Sequence, residues 1–141
     1  MKYLLDTCVL SEALKPQPNQ TVMTWLASND EYCYLSIMNL GEIRKGIAKS
    51  EHKAGQCQTR LHNWLDHLAA EKQDYILPLS HDAIMLWGEI AGRSEAKGVP
   101  LPVIDSLIAA TAMVHDLVVA TRNRDDFERC GAKTINPWEY S

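Results

Sequence analysis

Leu117 to Ala120 is a short apolar run with no polar alternation, and it follows closely on a stretch that is itself apolar at helical spacing, Ile104, Leu107, Ile108, Thr111 and Ala112. A strand of that kind is covered on both faces, which is the pattern of a parallel sheet rather than of a half-exposed antiparallel one. Pro100 and Pro102 keep the entry to the helix extended, so Asp105 falls in its first turn. Thr121 to Asp126 hangs as a polar loop off the strand's carboxyl end. In open parallel sheets ligands bind beyond those ends, so Asp105 and Asp126 bracket the expected place of chemistry.

The rest of the chain repeats the alternation. Lys2 to Leu5 reads as a strand that delivers Asp6, and Thr7 as the cap of a helix through Leu14. Asn19 caps a second helix whose buried side carries Val22, Trp25 and Leu26. Tyr32 to Leu35 is the next strand, and Ser36 caps a helix with Glu42 in its second turn. Glu51 to Lys72 predicts a solvated helix or helical hairpin with a weak point at Gly55. Tyr75 to Leu79 is a strand whose Pro78 places it at an edge. Ser80 caps a long helix with Ile84, Trp87, Ile90 and Ala91 facing inward and Gly98 as its stop, and Lys133 to Asn136 is a fifth short strand. The prediction is an α/β fold, a three-layer α/β/α sandwich on a central parallel sheet of about five short strands, forming one domain over residues 1–141.

Right-handed crossovers bring strand ends to one edge of such a sheet, so Asp6, Glu42, Asp105 and Asp126 can converge from distant positions. Each acid taken alone is better explained as a cap or as a partner of a helix macrodipole. Asp105 resists that account best, because Val103, Ile104, Leu107 and Ile108 put it at the edge of buried surface, where an unpartnered charge is costly. Clustered carboxylates raise one another's pKa, and a divalent ion relieves them. An all-oxygen set points to magnesium, with manganese as the alternative, and an ion so placed suits phosphodiester hydrolysis.

Composition narrows the classes. A net charge of -4 argues mildly against a protein that wraps nucleic acid by bulk electrostatics, although Arg44, near Glu42, and Arg122, near Asp126, can hold nucleic-acid phosphates locally. No apolar run approaches the roughly 20 residues that span a bilayer, and the acid in MKYLLDT comes too early for a signal peptide, so no membrane partner and a cytosolic protein are expected. Four widely spaced cysteines contain no CxxC pair and read as reduced, mostly buried residues without a zinc site. The five histidines lack HxxxH or HExxH spacing and read as surface residues, while the tryptophans read as packing residues.

LLDTCVLSEAL around Asp6 and Thr7, SIMNLGE with Ser36, Asn39 and Glu42, PLPVIDSLIAATA around Asp105, and TRNRDDF before a closing NPW together resemble the PIN-domain ribonucleases, and among them the VapC toxins and the similar FitB proteins. The resemblance covers nearly the whole length. It implies a magnesium-dependent endoribonuclease toxin, usually a homodimer, inhibited by a VapB-like antitoxin and reaching operator DNA only through that complex. By position it implies Asp6 and Asp105 as principal metal ligands, with Glu42 and Asp126 completing the acidic set directly or through water. Thr7, Ser36, Thr121 and Asn123 would orient the site. The family's TRN motif, followed by two residues, an acid and Phe, selects Asp126 over Asp125. Cys8 stands where the family more often has Asn or Ser.

Two other readings stand beside the toxin. One is a binding module that acts with its antitoxin on DNA and scarcely cuts RNA. The other is a phosphoacceptor receiver domain, which also uses acids at strand ends, but this chain lacks an adjacent acidic pair after its first strand and a lysine after its last.

Overall fold

In the computed structural model, which describes residues 1–140, five parallel strands form one sheet in the order β3-β2-β1-β4-β5. They are β1 (Tyr3–Leu5), β2 (Cys33–Ser36), β3 (Ile76–Leu77), β4 (Val118–Ala120) and β5 (Thr134–Ile135). Seven helices cover it: α1 (Thr7–Glu12), α2 (Gln20–Asn29), α3 (Ile37–Ala54), α4 (Thr59–Glu71), α5 (His81–Ala96), α6 (Val103–Val114) and α7 (Arg124–Arg129). The expected three-layer sandwich is what forms.

Alternation along β1 sorts the two cores. Tyr3 and Leu5 point to one face, where Val9, Leu10, Val22, Trp25, Ile43 and Ile47 from α1 to α3 meet them and α4 adds Leu61, Trp64, Leu65 and Leu68. Leu4 points to the other, against Ile108, Ala109 and Ala112 of α6, Phe127 of α7 and Ile90 of α5. Leu4, Leu35 and Ile108 are fully buried, and each contributes about 1.5–3 kcal/mol by leaving water.

β1 pairs with β2 on one side and with β4 on the other, with Leu4 beside both Tyr34 and Val119. The chain therefore winds outward in two directions from β1, and the crevice at the carboxyl ends of β1 and β4 is the switch point of the sheet. Backbone bonds fix its walls: Asp6 N–H donates to the Ala120 carbonyl at 2.9 Å, and Thr121 N–H to that of Ile135 at 2.9 Å.

Several local expectations change. Asp6, rather than Thr7, caps α1, because its carboxylate accepts the Thr7 N–H. Asp126 lies in α7, not in a loop, since Arg124 to Arg129 closes a short helix on the buried Phe127. Ile84 is exposed, as are Met85, Val103 and Ile104, because α5 and α6 pack chiefly on each other at the outer layer. Cys57 is exposed and Cys8 only partly covered, whereas Cys33 and Cys130 are buried. Among the described residues no helix is long and apolar enough to cross a membrane.

Candidate active site

The crevice holds a cleft of about 510 Å³ lined by Asp6, Thr7, Cys8, Glu42, Arg122 and Asn123. The two acids that line it, Asp6 and Glu42, are positioned by different local devices. Asp6 is the residue at which β1 ends and α1 begins, and it is buried at 7% exposure. Its Oδ1 accepts the Thr7 N–H at 2.8 Å. Its Oδ2 accepts the Thr121 hydroxyl at 2.7 Å and the Cys8 thiol at 3.4 Å. Donors on both oxygens fix the carboxylate in one orientation. Burial, with Asp6 alongside, pushes the Cys8 thiol up to about 11, so it serves as a donor and not as a nucleophile.

Glu42 is aimed by a relay that begins in a helix cap. Ser36 caps α3, its hydroxyl accepting the Met38 N–H at 3.0 Å. The Asn39 side chain closes the reciprocal half of the box by accepting the Ser36 N–H at 2.7 Å. Asn39 Nδ2 then donates to Thr7 Oγ1 at 3.0 Å, and Thr7 Oγ1 donates to Glu42 Oε1 at 2.6 Å. Asn39 is fully buried. Sequence reading gave it no role in the site, although an amide three residues after a capping serine carried the signal. A second relay mirrors the first across the cleft, where Thr121 Oγ1 accepts the Asn123 N–H at 2.9 Å while donating to Asp6.

Asp126 is held by Asn123 Nδ2 at 2.5 Å and by the Arg129 guanidinium, and these partners keep its carboxyl below the usual range. Asp125 is exposed and lines a separate surface with Glu128 and Arg129. Asp105, in the first turn of α6, is different in kind. Burial, then the charges of Asp6, Glu42 and Asp126, push its carboxyl up to about 6. Asp6 and Glu42 line the cleft itself, and Asp105 and Asp126 lie near enough for the charges to act on Asp105.

Arg122 lies on the cleft wall, its guanidinium stacked 4.1 Å above the Trp138 ring. Arg44 does not line the cleft; its guanidinium contacts His62 on α4.

The charge balance tests whether a cation fits. Among the described residues Asp126 has a basic partner in Arg129, while Asp6, Glu42 and Asp105 have none within ion-pair distance. Oxygen donors with uncompensated charge, one of them titrating abnormally high, are the chemistry that a hard divalent ion relieves.

Residues 3–133 match the family described as PIN domain. VapC ribonuclease Y4jK of Sinorhizobium fredii is 35% identical over 138 residues, which are 96% of this chain and 97% of the relative. Toxin FitB of Neisseria gonorrhoeae is 36% identical over 138 residues, with coverages of 96% and 97%. The crystal structure of FitAcB from Neisseria gonorrhoeae superposes with a TM-score of 0.80 at 33% identity, covering 97% of this chain and 99% of that one. FitAB bound to an IR36 DNA fragment gives 0.78 at 32% identity, with coverages of 99% and 97%.

Proposed function

The chain belongs to the PIN-domain family, and from that premise we propose that it is a metal-dependent endoribonuclease toxin, hydrolysing RNA phosphodiester bonds and held in check by a cognate antitoxin. The observation that carries the proposal is the setting of Asp105, raised to about 6 by burial and by the charges of Asp6, Glu42 and Asp126, with no ion pair to Asp6, Glu42 or Asp105 among the described residues.

Asp6 and Asp105 would be the principal ligands of magnesium, with Glu42 and Asp126 completing the set directly or through water. A bound ion of this class neutralises the acids, binds a phosphate oxygen and lowers the pKa of a water. The chain's own residues do the rest. Thr7, Thr121 and Asn123 hold three of the acids in fixed orientation, so no reorganisation is needed when the substrate enters. Arg122, held over the Trp138 ring, offers its N–H groups to a backbone phosphate and positions the strand over the acids.

Antitoxin binding, and contact with operator DNA only through that complex, are supported by the FitAB assembly on DNA. Exposed Ile84, Met85, Val103 and Ile104 on α5 and α6 offer an apolar surface for the second copy of a homodimer.

The test is cleavage of total cellular RNA by the purified, antitoxin-free protein with magnesium, with EDTA, and with Asp6→Asn. Cleavage that needs both the metal and Asp6 is expected. Equal cutting by Asp6→Asn would overturn the proposal. Tight antitoxin and DNA binding with no cutting under any condition would instead establish the binding module.

A further inference from the structure

The turn between α3 and α4 gathers side chains of another chemistry. Glu51 in α3, Cys57 in the connection and His62 in α4 bring a carboxylate oxygen, a thiol sulfur and an imidazole nitrogen within 4.8 Å of one another. None of them lines the acidic cleft.

The backbone holds this group in place. Gly55 ends α3 in the left-handed region at φ 69°, with its N–H on the Glu51 carbonyl at 2.9 Å. The reversed chain then returns Gln58, whose N–H donates to Glu51 Oε2 at 2.7 Å and whose side chain donates to Ser50 Oγ at 2.6 Å. His62 Nε2 meets the same Glu51 oxygen at 2.8 Å, with both side chains about three-quarters covered. The Gln58 N–H, His62 and Cys57 together draw the Glu51 carboxyl down to about 2. Arg44 approaches the other ring nitrogen, Nδ1.

Sulfur, nitrogen and oxygen donors in one set select borderline divalent ions rather than magnesium. We infer that Glu51, Cys57 and His62 form a binding site for a zinc-class divalent cation, clamping α3 to α4 independently of the acidic cleft, with water in the remaining position. Two of the hydrogens now aimed at the Glu51 carboxylate give way to the ion. The Cys57 thiol releases its proton to solvent, and the imidazole ligates as the neutral ring through Nε2 with its one proton on Nδ1. A thiolate and a carboxylate then balance the two positive charges. Nδ1 becomes a donor, so Arg44, which is exposed, turns away into water.

Cobalt(II) is the probe, because thiolate ligation produces a sulfur-to-cobalt charge-transfer band and four-coordination produces intense ligand-field bands. The full-length protein is titrated with Asp6→Asn and Asp105→Asn in place, so that the cleft does not compete. The expected result is saturation at one equivalent, reversal by zinc but not by magnesium, and loss of the bands in Cys57→Ser and in His62→Gln. Cys57 is exposed, so its serine variant keeps the fold, and circular dichroism checks this. Zinc also raises the melting temperature of the parent and not of Cys57→Ser. Absence of the bands, their survival in both variants, or an equal thermal shift in parent and Cys57→Ser overturns the site and leaves Glu51 as a hydrogen-bonding clip on the α4 terminus.

Discussion

Replacing Asp105 by asparagine separates a catalytic acid from a structural one. The carboxyl rises from 3.8 to about 6 on folding. At about 1.4 kcal/mol per pKa unit this is about 3 kcal/mol of disfavoured charge, and the half-buried setting, open to solvent screening, reduces it to about 1–2 kcal/mol. Between those two pKa values the native state binds the proton more tightly than the unfolded chain, so stability falls as pH rises through the window and the whole penalty is present above it. Without metal at pH 7.5, Asp105→Asn is therefore expected to melt about 4–6 °C above the parent. The gain shrinks as pH falls through 6 and vanishes near 4, where the parent's carboxyl is itself neutral. Magnesium raises the melting point of the parent by mass action and that of the variant much less. The assay is a set of thermal melts across pH in EDTA and in magnesium, run beside RNA cleavage, which the variant loses. A variant that melts below the parent at pH 7.5, or whose gain persists at pH 4, would refute the claim that burial and the facing carboxylates perturb Asp105.

Thr121→Val removes the hydroxyl that donates to Asp6 and accepts the Asn123 N–H in a fully buried position, so a loss of about 1–3 kcal/mol in urea unfolding is expected together with weaker cleavage. An unchanged unfolding midpoint would show that the relay carries no load. Arg122→Ala, measured for binding of single-stranded RNA in the Asp6→Asn background, is expected to reduce the slope of log affinity against log salt by about 0.7, the value of one phosphate contact. Trp138→Leu should lower affinity less and leave that slope in place, because it loosens the guanidinium without removing its charge. A slope unaltered by Arg122→Ala would place the RNA elsewhere.

The layered fold was legible because most strands and helices announce themselves by their own periodicity, several of them with a cap, as with Asn19, Ser36 and Ser80. The four acids could be named for the same reason: they sit at element ends, and the order of elements implies one sheet edge. What a linear reading missed was decided by contacts across the chain. Asp126 is in a helix because Phe127 finds a core to enter. Arg44 turns toward α4 because the hairpin brings His62 beside it. Trp138 and the group around Glu51 take their roles from neighbours that no spacing rule connects, Asn39 sits at a readable cap spacing but reaches Thr7 across 32 positions, and Ile84 is exposed because α5 packs chiefly on α6.

β1 sits mid-sheet with β4 as one neighbour, so the Asp6–Thr121 bond joins residues 115 positions apart. On the ribosome Asp6 and Glu42 emerge before the wall that faces them and wait until β4 and the segment after it are translated. A prematurely terminated product ending before Val118 lacks both that wall and the fourth acid. The acidic cleft is thus closed only once β4 and Thr121 have been translated, and a product cut short before them has no wall opposite Asp6.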